Sequence, residues 1–97
     1  MRLGNKVAIV TGGGQGIGRG IATKFSQEGA TLVIADIDLE AAQNTRKEIT
    51  SRDRKCLVIK SDIANSSDVK NVVKITLEEF GKIDILVNNA AVRSVNL

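Results

Sequence analysis

The amino-acid sequence predicts an α/β fold in which helices cover a parallel sheet. Two observations carry this prediction. Short, nearly all-apolar segments recur along the chain, and such segments are typical of strands buried on both faces of a sheet. Between them lie segments whose apolar residues repeat at helical spacing. Because strand and helix alternate in this way, we expect parallel strands with right-handed crossovers, in the order β-α-β-α-β-α-β.

The first half of the chain is predicted to contain two strands and one helix. Residues 6–11 form an apolar run that ends abruptly in glycines, and residues 31–35 form a second run of the same kind. Residues 16–28 are expected to form a helix because their apolar side chains recur every four residues. This stripe comprises Ile17, Ile21 and Phe25. Gly29 supplies the stop at the carboxyl end of the helix.

The second half is predicted to contain two helices and two strands. Asp38 is a suitable N-cap for a mostly polar helix with a weak apolar stripe. That stripe comprises Leu39, Ala42, Thr45 or Arg46, and Ile49. Strands are expected at residues 56–59 and 83–87, on either side of a helix opened by residues 65–68 and closed by Gly81. The apolar stripe of this last helix comprises Val69, Val72, Val73, Thr76, Leu77 and Phe80.

The composition excludes several classes of function. The net charge of +3 arises from 14 basic and 11 acidic residues that are interleaved along all 97 positions, and two Phe are the only aromatic residues. This distribution argues against nucleic-acid recognition. The apolar runs are too short to cross a membrane, and the start of the chain lacks a secretory segment.

The cysteine and histidine content indicates where the protein is located and whether it binds a metal. The single cysteine, Cys56, cannot form an internal disulfide, so we expect a reducing, cytoplasmic location. We expect Cys56 itself to be a small core residue in the third strand. Histidine is absent, which removes the usual transition-metal sites. We therefore expect no bound metal.

Six of the nine glycines lie between Gly12 and Gly20, after a strand and before a helix. Closely spaced glycines allow a tight turn and a close approach to the helix amino terminus, whose free amides form an anion site that suits a pyrophosphate. A P-loop is disfavoured, because Arg19 and Gly20 stand where Lys and Ser or Thr are required. A structural turn without a ligand remains the alternative.

Asp36 ends the second strand, 20 residues beyond Gly16. In a dinucleotide-binding fold this position faces the adenosine ribose, where a carboxylate accepts hydrogen bonds from the hydroxyls and repels the additional phosphate of NADP. Gln15 is neutral where a site for NADP often carries a basic residue. The two residues favour NAD over NADP, although Asp36 could also simply begin the turn that leads to Asp38.

Four motifs occur in order along the chain: Thr11-Gly12-Gly13-Gly14-Gln15-Gly16-Ile17-Gly18, Asp36, Asp62-Ile63 and Asn88-Asn89-Ala90-Ala91. In residue type and spacing the chain resembles the classical short-chain dehydrogenase/reductase family from Lys6 to its last residues. The resemblance implies a Rossmann-type sheet of strand order 3-2-1-4, with a ligand crevice at the topological switch point between strands one and four.

The resemblance also implies a role for each motif. The glycine loop would hold the cofactor pyrophosphate, Asp62 would contact the adenine amino group with Ile63 beside the ring, and Asn88 and Ala90 would close the cleft. The expected cofactor-binding residues are Gly12, Gln15, Gly16, Ile17, Gly18, Asp36, Asp62, Ile63, Asn88 and Ala90. From the residues alone, Asp62 is equally well interpreted as a cap or turn residue, and Asn88-Asn89 as a polar turn.

Two departures from the family pattern stand out. Ala91 replaces the usual last glycine of Asn-Asn-Ala-Gly. The family's catalytic Asn, Ser and Tyr-x-x-x-Lys lie beyond strand four, and this sequence contains no tyrosine. We therefore assign no catalytic residues and expect residues 1–97 to be the N-terminal, NAD(P)-binding half-domain of a longer enzyme, inactive alone.

The resulting functional expectation concerns that full-length form. It would transfer a hydride between a nicotinamide cofactor and a carbonyl or secondary alcohol of a small molecule, with no nucleic-acid or membrane partner and with an oligomer possible. Two alternatives remain at this point. The chain could be a non-catalytic nucleotide-binding module, or a truncated chain that acts only through a partner subunit.

Overall fold

A computed structural model describes residues 2–50 and 55–89. Its elements alternate strictly between strand and helix, as predicted. They are β1 (Val7–Thr11), α1 (Gly16–Gln27), β2 (Thr31–Asp36), α2 (Leu39–Thr50), β3 (Cys56–Lys60), α3 (Ser66–Phe80) and β4 (Ile85–Asn88). The strands form one parallel sheet in the order β3-β2-β1-β4, so the predicted Rossmann-type topology is confirmed.

Each face of the sheet has its own apolar core, because successive residues of a strand point to opposite sides. On one face, Val10 and Ile34 pack with Ala22 of α1 and Ala42 of α2. The other face packs against α3, and its cluster comprises Ile9, Val33, Ala35, Ile59 and Val72. Strands β1 and β2 are buried along almost their whole length, which explains their lack of polar alternation in the sequence.

Local signals determine where the helices begin and end. Asn65 caps α3 by accepting a hydrogen bond from the Ser67 amide at 2.9 Å. Gly81 ends the same helix in a left-handed conformation with a φ of 78°. Asp38 caps α2 by accepting from the Ala41 amide at 3.0 Å. These three predicted stops and caps are confirmed.

Strand β4 differs from its prediction: it begins at Ile85 rather than at residue 83. Asp84 explains the shift, because its side-chain oxygen accepts from the Val7 amide at 2.8 Å while its own amide donates to the Val7 carbonyl at 2.9 Å. A carboxylate thus takes the place of a backbone partner at the start of the strand. This hydrogen bond and the nearby Lys82 lower the pKa of Asp84 below its ordinary value.

The buried faces of α1 and α3 differ in part from the predicted apolar stripes. In α1 the buried residues are Gly18, Ala22 and Ser26, whereas Ile17 at the amino end is 77% exposed. In α3 the sheet covers Val72 and Thr76, and three other members of the predicted stripe remain exposed. These are Val69, Val73 and Leu77. The small residues of α1 lie closest to the sheet because the helix packs tightly against the loop that follows β1.

The described part of the chain contains no helix that is both long and apolar enough to cross a membrane. Within the same residues, no three His, Cys, Asp or Glu side chains cluster in a way that could hold a metal ion. Cys56 lies in β3, half-buried, with a free thiol. Burial raises the pKa of this thiol to about 12, against a smaller opposing effect of Arg46.

Candidate functional site

The carboxyl ends of β1 and β4 border a crevice. Helix α1 leaves β1 on one face of the sheet and α3 lies on the other, so the order in which successive strands are added to the sheet reverses between β1 and β4. The strand register places Thr11, the last residue of β1, opposite Asn88, the last residue of β4. The glycine loop and the Asn88-Asn89 pair therefore lie side by side at this edge, as the topology predicts.

The glycine loop brings the chain from β1 into α1 through two left-handed residues. Gly12 has a φ of 68° and Gly16 a φ of 54°, values that favour glycine strongly. Among the described residues, no side chain caps α1: the N-cap residue Gln15 makes no such hydrogen bond, and the first turn carries no acidic residue. The first turn of α1 thus carries no negative side chain of its own at the positive end of the helix dipole.

Space is available at this helix end. A Cβ built on Gly16 would meet no described atom within 4 Å. In contrast, a Cβ on Gly18 would lie 2.1 Å from the Gly12 carbonyl oxygen, so α1 rests directly on the loop. The loop is therefore packed against α1 at Gly18 and open at Gly16, and an open helix amino end of this kind can accept an anion.

Asp36 lies at the end of β2 and points toward the glycine loop. The residue is 5% exposed, and its carboxylate accepts two backbone hydrogen bonds, one from the Gly14 amide and one from the Asp38 amide, each at 2.9 Å. A carboxylate has about four acceptor positions, so further donors can be accommodated. The hydrogen bond from the Asp38 amide agrees with the alternative in which Asp36 begins the turn toward Asp38, whereas the hydrogen bond from Gly14 was not predicted from the sequence.

Gln15 and Asp38 connect the loop to the start of α2. The Gln15 amide nitrogen donates to the Asp38 carboxylate at 3.2 Å, on the exposed side of the site. The other oxygen of Asp38 is the helix cap already described. Gln15 is therefore held near the end of β2, close to Asp36.

The end of β4 is attached to the loop by three side chains. The Thr11 hydroxyl lies 3.2 Å from the Val87 carbonyl oxygen and 3.4 Å from the Asn88 side-chain oxygen. The Asn89 amide donates to the Gly12 carbonyl at 3.5 Å. Thr11 and Asn89 belong to the sequence motifs but not to the expected binding residues, and the structure shows that their side chains join the ends of β1 and β4.

Asp62 and Ile63 follow β3 on the α3 side of the crevice. The Asp62 carboxylate accepts from the Ala64 amide at 3.0 Å, so the residue does act in a turn. Ile63, Thr11 and Asn88 line a cavity of about 270 Å³ between the strand ends and α3. Of the ten expected binding residues, Ile63 and Asn88 line this cavity. Seven others are described in the glycine loop and at the ends of β2 and β3, whereas Ala90 lies outside the described residues, as does Ala91.

The sequence matches the family model described as short chain dehydrogenase over residues 6–97. An oxidoreductase of Thermotoga maritima is 48% identical over 93 residues, which cover 96% of this chain and 36% of that protein. Galactitol 2-dehydrogenase of Agrobacterium fabrum is 47% identical over 92 residues, which cover 95% and 35% of the two chains. The chain thus spans about a third of the length of these relatives.

Solved structures agree with the sequence relationship. The 3-ketoacyl-(acyl-carrier-protein) reductase of Brucella melitensis, whose crystal structure is a complex with NADH, matches with a TM-score of 0.80 and 40% sequence identity. The match covers 87% of this chain and 33% of that one. The glycine loop, Asp36 and Asn88 all lie within the range matched by the family model.

Proposed function

The chain belongs to the short-chain dehydrogenase family, and from that premise we propose that it binds a nicotinamide dinucleotide, NAD in preference to NADP, in the crevice between β1 and β4. One observation carries the proposal: the amino end of α1 lacks a cap among the described residues and opens, at Gly16, onto free space. Such a helix end is a site for an anion, and in parallel α/β sheets ligands bind in the crevice at the carboxyl ends of the strands.

The pyrophosphate would be bound by the loop and the first turn of α1. The amides of Gly16, Ile17 and Gly18 belong to that turn and have no partner within their own helix, as is general for the first residues of a helix. Gly12 supplies the left-handed turn out of β1. Binding the pyrophosphate would satisfy these donors and neutralise the positive helix end.

The ribose would be bound by Asp36. Its carboxylate is fixed by two backbone amides and retains acceptor capacity for ribose hydroxyls. A negative charge at this position opposes the 2′-phosphate of NADP, and Gln15, held beside it by Asp38, adds no positive charge. These two features support the choice of NAD.

The adenine would lie toward β3, and the nicotinamide toward β4. Asp62 and Ile63 follow β3 and would contact the adenine, with Ile63 supplying an apolar surface. Asn88, together with Ala90 beyond it, would close the cleft at the end of β4. Residues 1–97 would on this view form the N-terminal cofactor-binding half-domain of the protein.

For the whole protein we propose hydride transfer between the nicotinamide and a carbonyl or secondary alcohol. The relatives support this class of reaction, since they include a galactitol 2-dehydrogenase and a 3-ketoacyl-(acyl-carrier-protein) reductase. The bound cofactor supplies or accepts the hydride, while the residues of this chain bind and orient it. We also propose a cytoplasmic location, which the lone, unpaired Cys56 thiol supports.

A second candidate is a nucleotide-binding module without catalysis. The sequence contains no tyrosine, the residue that serves the family as general acid and base, but the family places that residue beyond β4, so both candidates are compatible with this composition. The coding sequence that follows Leu97 discriminates between the two. An in-frame Tyr-x-x-x-Lys pair supports the dehydrogenase, whereas a stop codon supports the module or a chain that acts through a partner subunit.

Titration with NADH tests the binding proposal. The protein is expressed at its full encoded length, and nicotinamide fluorescence is excited directly. Saturable enhancement with one site per chain supports the proposal. A parallel titration with NADPH should show weaker binding. A response that never exceeds that of NADH in buffer would refute it.

A further inference from the structure

The two backbone polar groups of Gly14 are both held by side chains from other elements. Its amide donates to Asp36 of β2 at 2.9 Å, and its carbonyl accepts from the hydroxyl of Thr45 at 3.3 Å. Thr45 is fully buried in the middle of α2, 31 residues further along the chain. The glycine loop is thus fixed at Gly14 by one strand and one helix.

The Thr45 hydroxyl has one proton and two acceptors. It lies 3.3 Å from the carbonyl oxygen of Ala41 in its own helix and 3.3 Å from that of Gly14. The first contact is the ordinary one for threonine in a helix. Thr76 of α3 shows this ordinary case, since it is equally buried and bonds only its own helix in the described contacts, at Val72, at 2.7 Å.

Close packing makes the position of the loop depend on α2. A Cβ on Gly14 would lie 2.6 Å from the Ala42 nitrogen and 2.8 Å from the Ala41 carbonyl carbon. The loop therefore rests directly on the first turns of this helix. The Thr45 hydroxyl is one of the contacts that join this helix to the loop, which leads directly into the first turn of α1.

We propose that Thr45 is a positioning residue for the dinucleotide: it does not touch the ligand but fixes, through Gly14, the loop that binds the pyrophosphate. The inference rests on the proposed function and adds a residue outside the glycine motif to the binding machinery. Asp36 and Thr45 then fix the same residue: Asp36 accepts from the Gly14 amide, and Thr45 donates to the Gly14 carbonyl.

The test compares Thr45→Val, Thr45→Ser and Thr76→Val in the protein at its full encoded length. Valine removes the hydroxyl at nearly constant volume, and serine restores it. Because a hydrogen bond of this kind contributes a modest net free energy, we expect Thr45→Val to weaken NADH binding by roughly three- to tenfold. Thr45→Ser should stay within about twofold of the wild type, and so should Thr76→Val, whatever stability each loses.

Each outcome has a distinct meaning. If the wild-type protein fails to bind NADH, the proposed function is wrong. If the wild type binds and Thr45→Val binds equally well, only the role of Thr45 is overturned. Should Thr45→Val fail to fold, Thr45→Ala removes the same hydroxyl without adding bulk, and Thr76→Ala becomes its control. If Thr45→Ala and Thr76→Ala bind NADH with equal affinity, the role of Thr45 is overturned.

Discussion

The Asp36 carboxylate accepts a hydrogen bond from the amide of Gly14 at 2.9 Å and thereby joins the end of β2 to the glycine loop. The residue proposed to select the cofactor is thus also a structural support of the loop that binds it. A second backbone amide, that of Asp38, holds the other oxygen. Cofactor choice and loop position are consequently linked through a single buried side chain.

Replacement of Asp36 by asparagine should affect both properties. Asparagine offers one oxygen and one NH₂ group, so one buried backbone amide loses its acceptor, at a cost of about 1–3 kcal/mol of unfolding free energy. The lost negative charge should also move the ratio of NADPH to NADH affinity toward NADPH. Denaturant unfolding and parallel titrations measure the two effects.

The control for this variant is Glu40→Gln. Glu40 is exposed in the first turn of α2, so its substitution removes the same charge from the same region without exposing a buried donor. We expect Glu40→Gln to show neither the loss of unfolding free energy nor the change in the ratio of NADPH to NADH affinity. An unchanged affinity ratio in Asp36→Asn would contradict the assignment of Asp36 to the ribose.

Two glycines of α1 should respond oppositely to alanine. In Gly18→Ala the new Cβ would lie 2.1 Å from the Gly12 carbonyl oxygen, so helix or loop must move, and overpacking of this kind costs roughly 1–3 kcal/mol. In Gly20→Ala no described atom lies within 4 Å of the Cβ, and the better helix former should add about 1 kcal/mol. Thermal unfolding measures both changes, and NADH binding should fall only in Gly18→Ala. Equal stability of the two variants would show that α1 does not rest on the loop.

The thiol of Cys56 should be unreactive at neutral pH. Burial raises its pKa to about 12, so its thiolate is far scarcer than that of a cysteine with the ordinary value of 9.0. We expect modification by a disulfide reagent to be at least roughly a hundredfold slower in the native protein than in denaturant, with the labelled peptide identified by mass spectrometry. Rapid native labelling of Cys56 would contradict the packing described for β3.

The same pKa predicts how stability depends on alkaline pH. Above pH 9.0 the unfolded chain releases the thiol proton, while the folded state keeps it until about pH 12. The contribution of Cys56 is therefore complete below pH 9.0 and decreases as the pH rises through this window. Cys56→Ala should show a smaller loss of stability over the same range, and an identical loss in both proteins would exclude this cause.

Much of the fold follows from local sequence. The strand and helix order, the Asn65 cap and the Gly81 stop depend on residues within one turn of the element they define. The glycine loop was recognisable for the same reason, since its chemistry lies in consecutive residues. The strand order 3-2-1-4 came from the resemblance to the family, because right-handed crossovers alone leave other orders of parallel strands open.

The remaining features depend on contacts between distant segments. The start of β4 shifts because the Asp84 side chain pairs with Val7, 77 residues away. Thr45 reaches Gly14 only because α2 packs on the loop. A polar residue within the weak stripe of α2 was the one signal of that contact, and it did not distinguish Thr45 from its neighbour Arg46.

The most direct test of dinucleotide binding at this helix end is an NMR titration of the ¹⁵N-labelled protein with NAD. Saturable shifts should be largest for the amides of Gly16, Ile17 and Gly18, which are proposed to donate to the pyrophosphate, and NADP should produce them only at higher concentration. Shifts that saturate elsewhere while these three amides stay unchanged, or no saturable shift at all, would contradict the account.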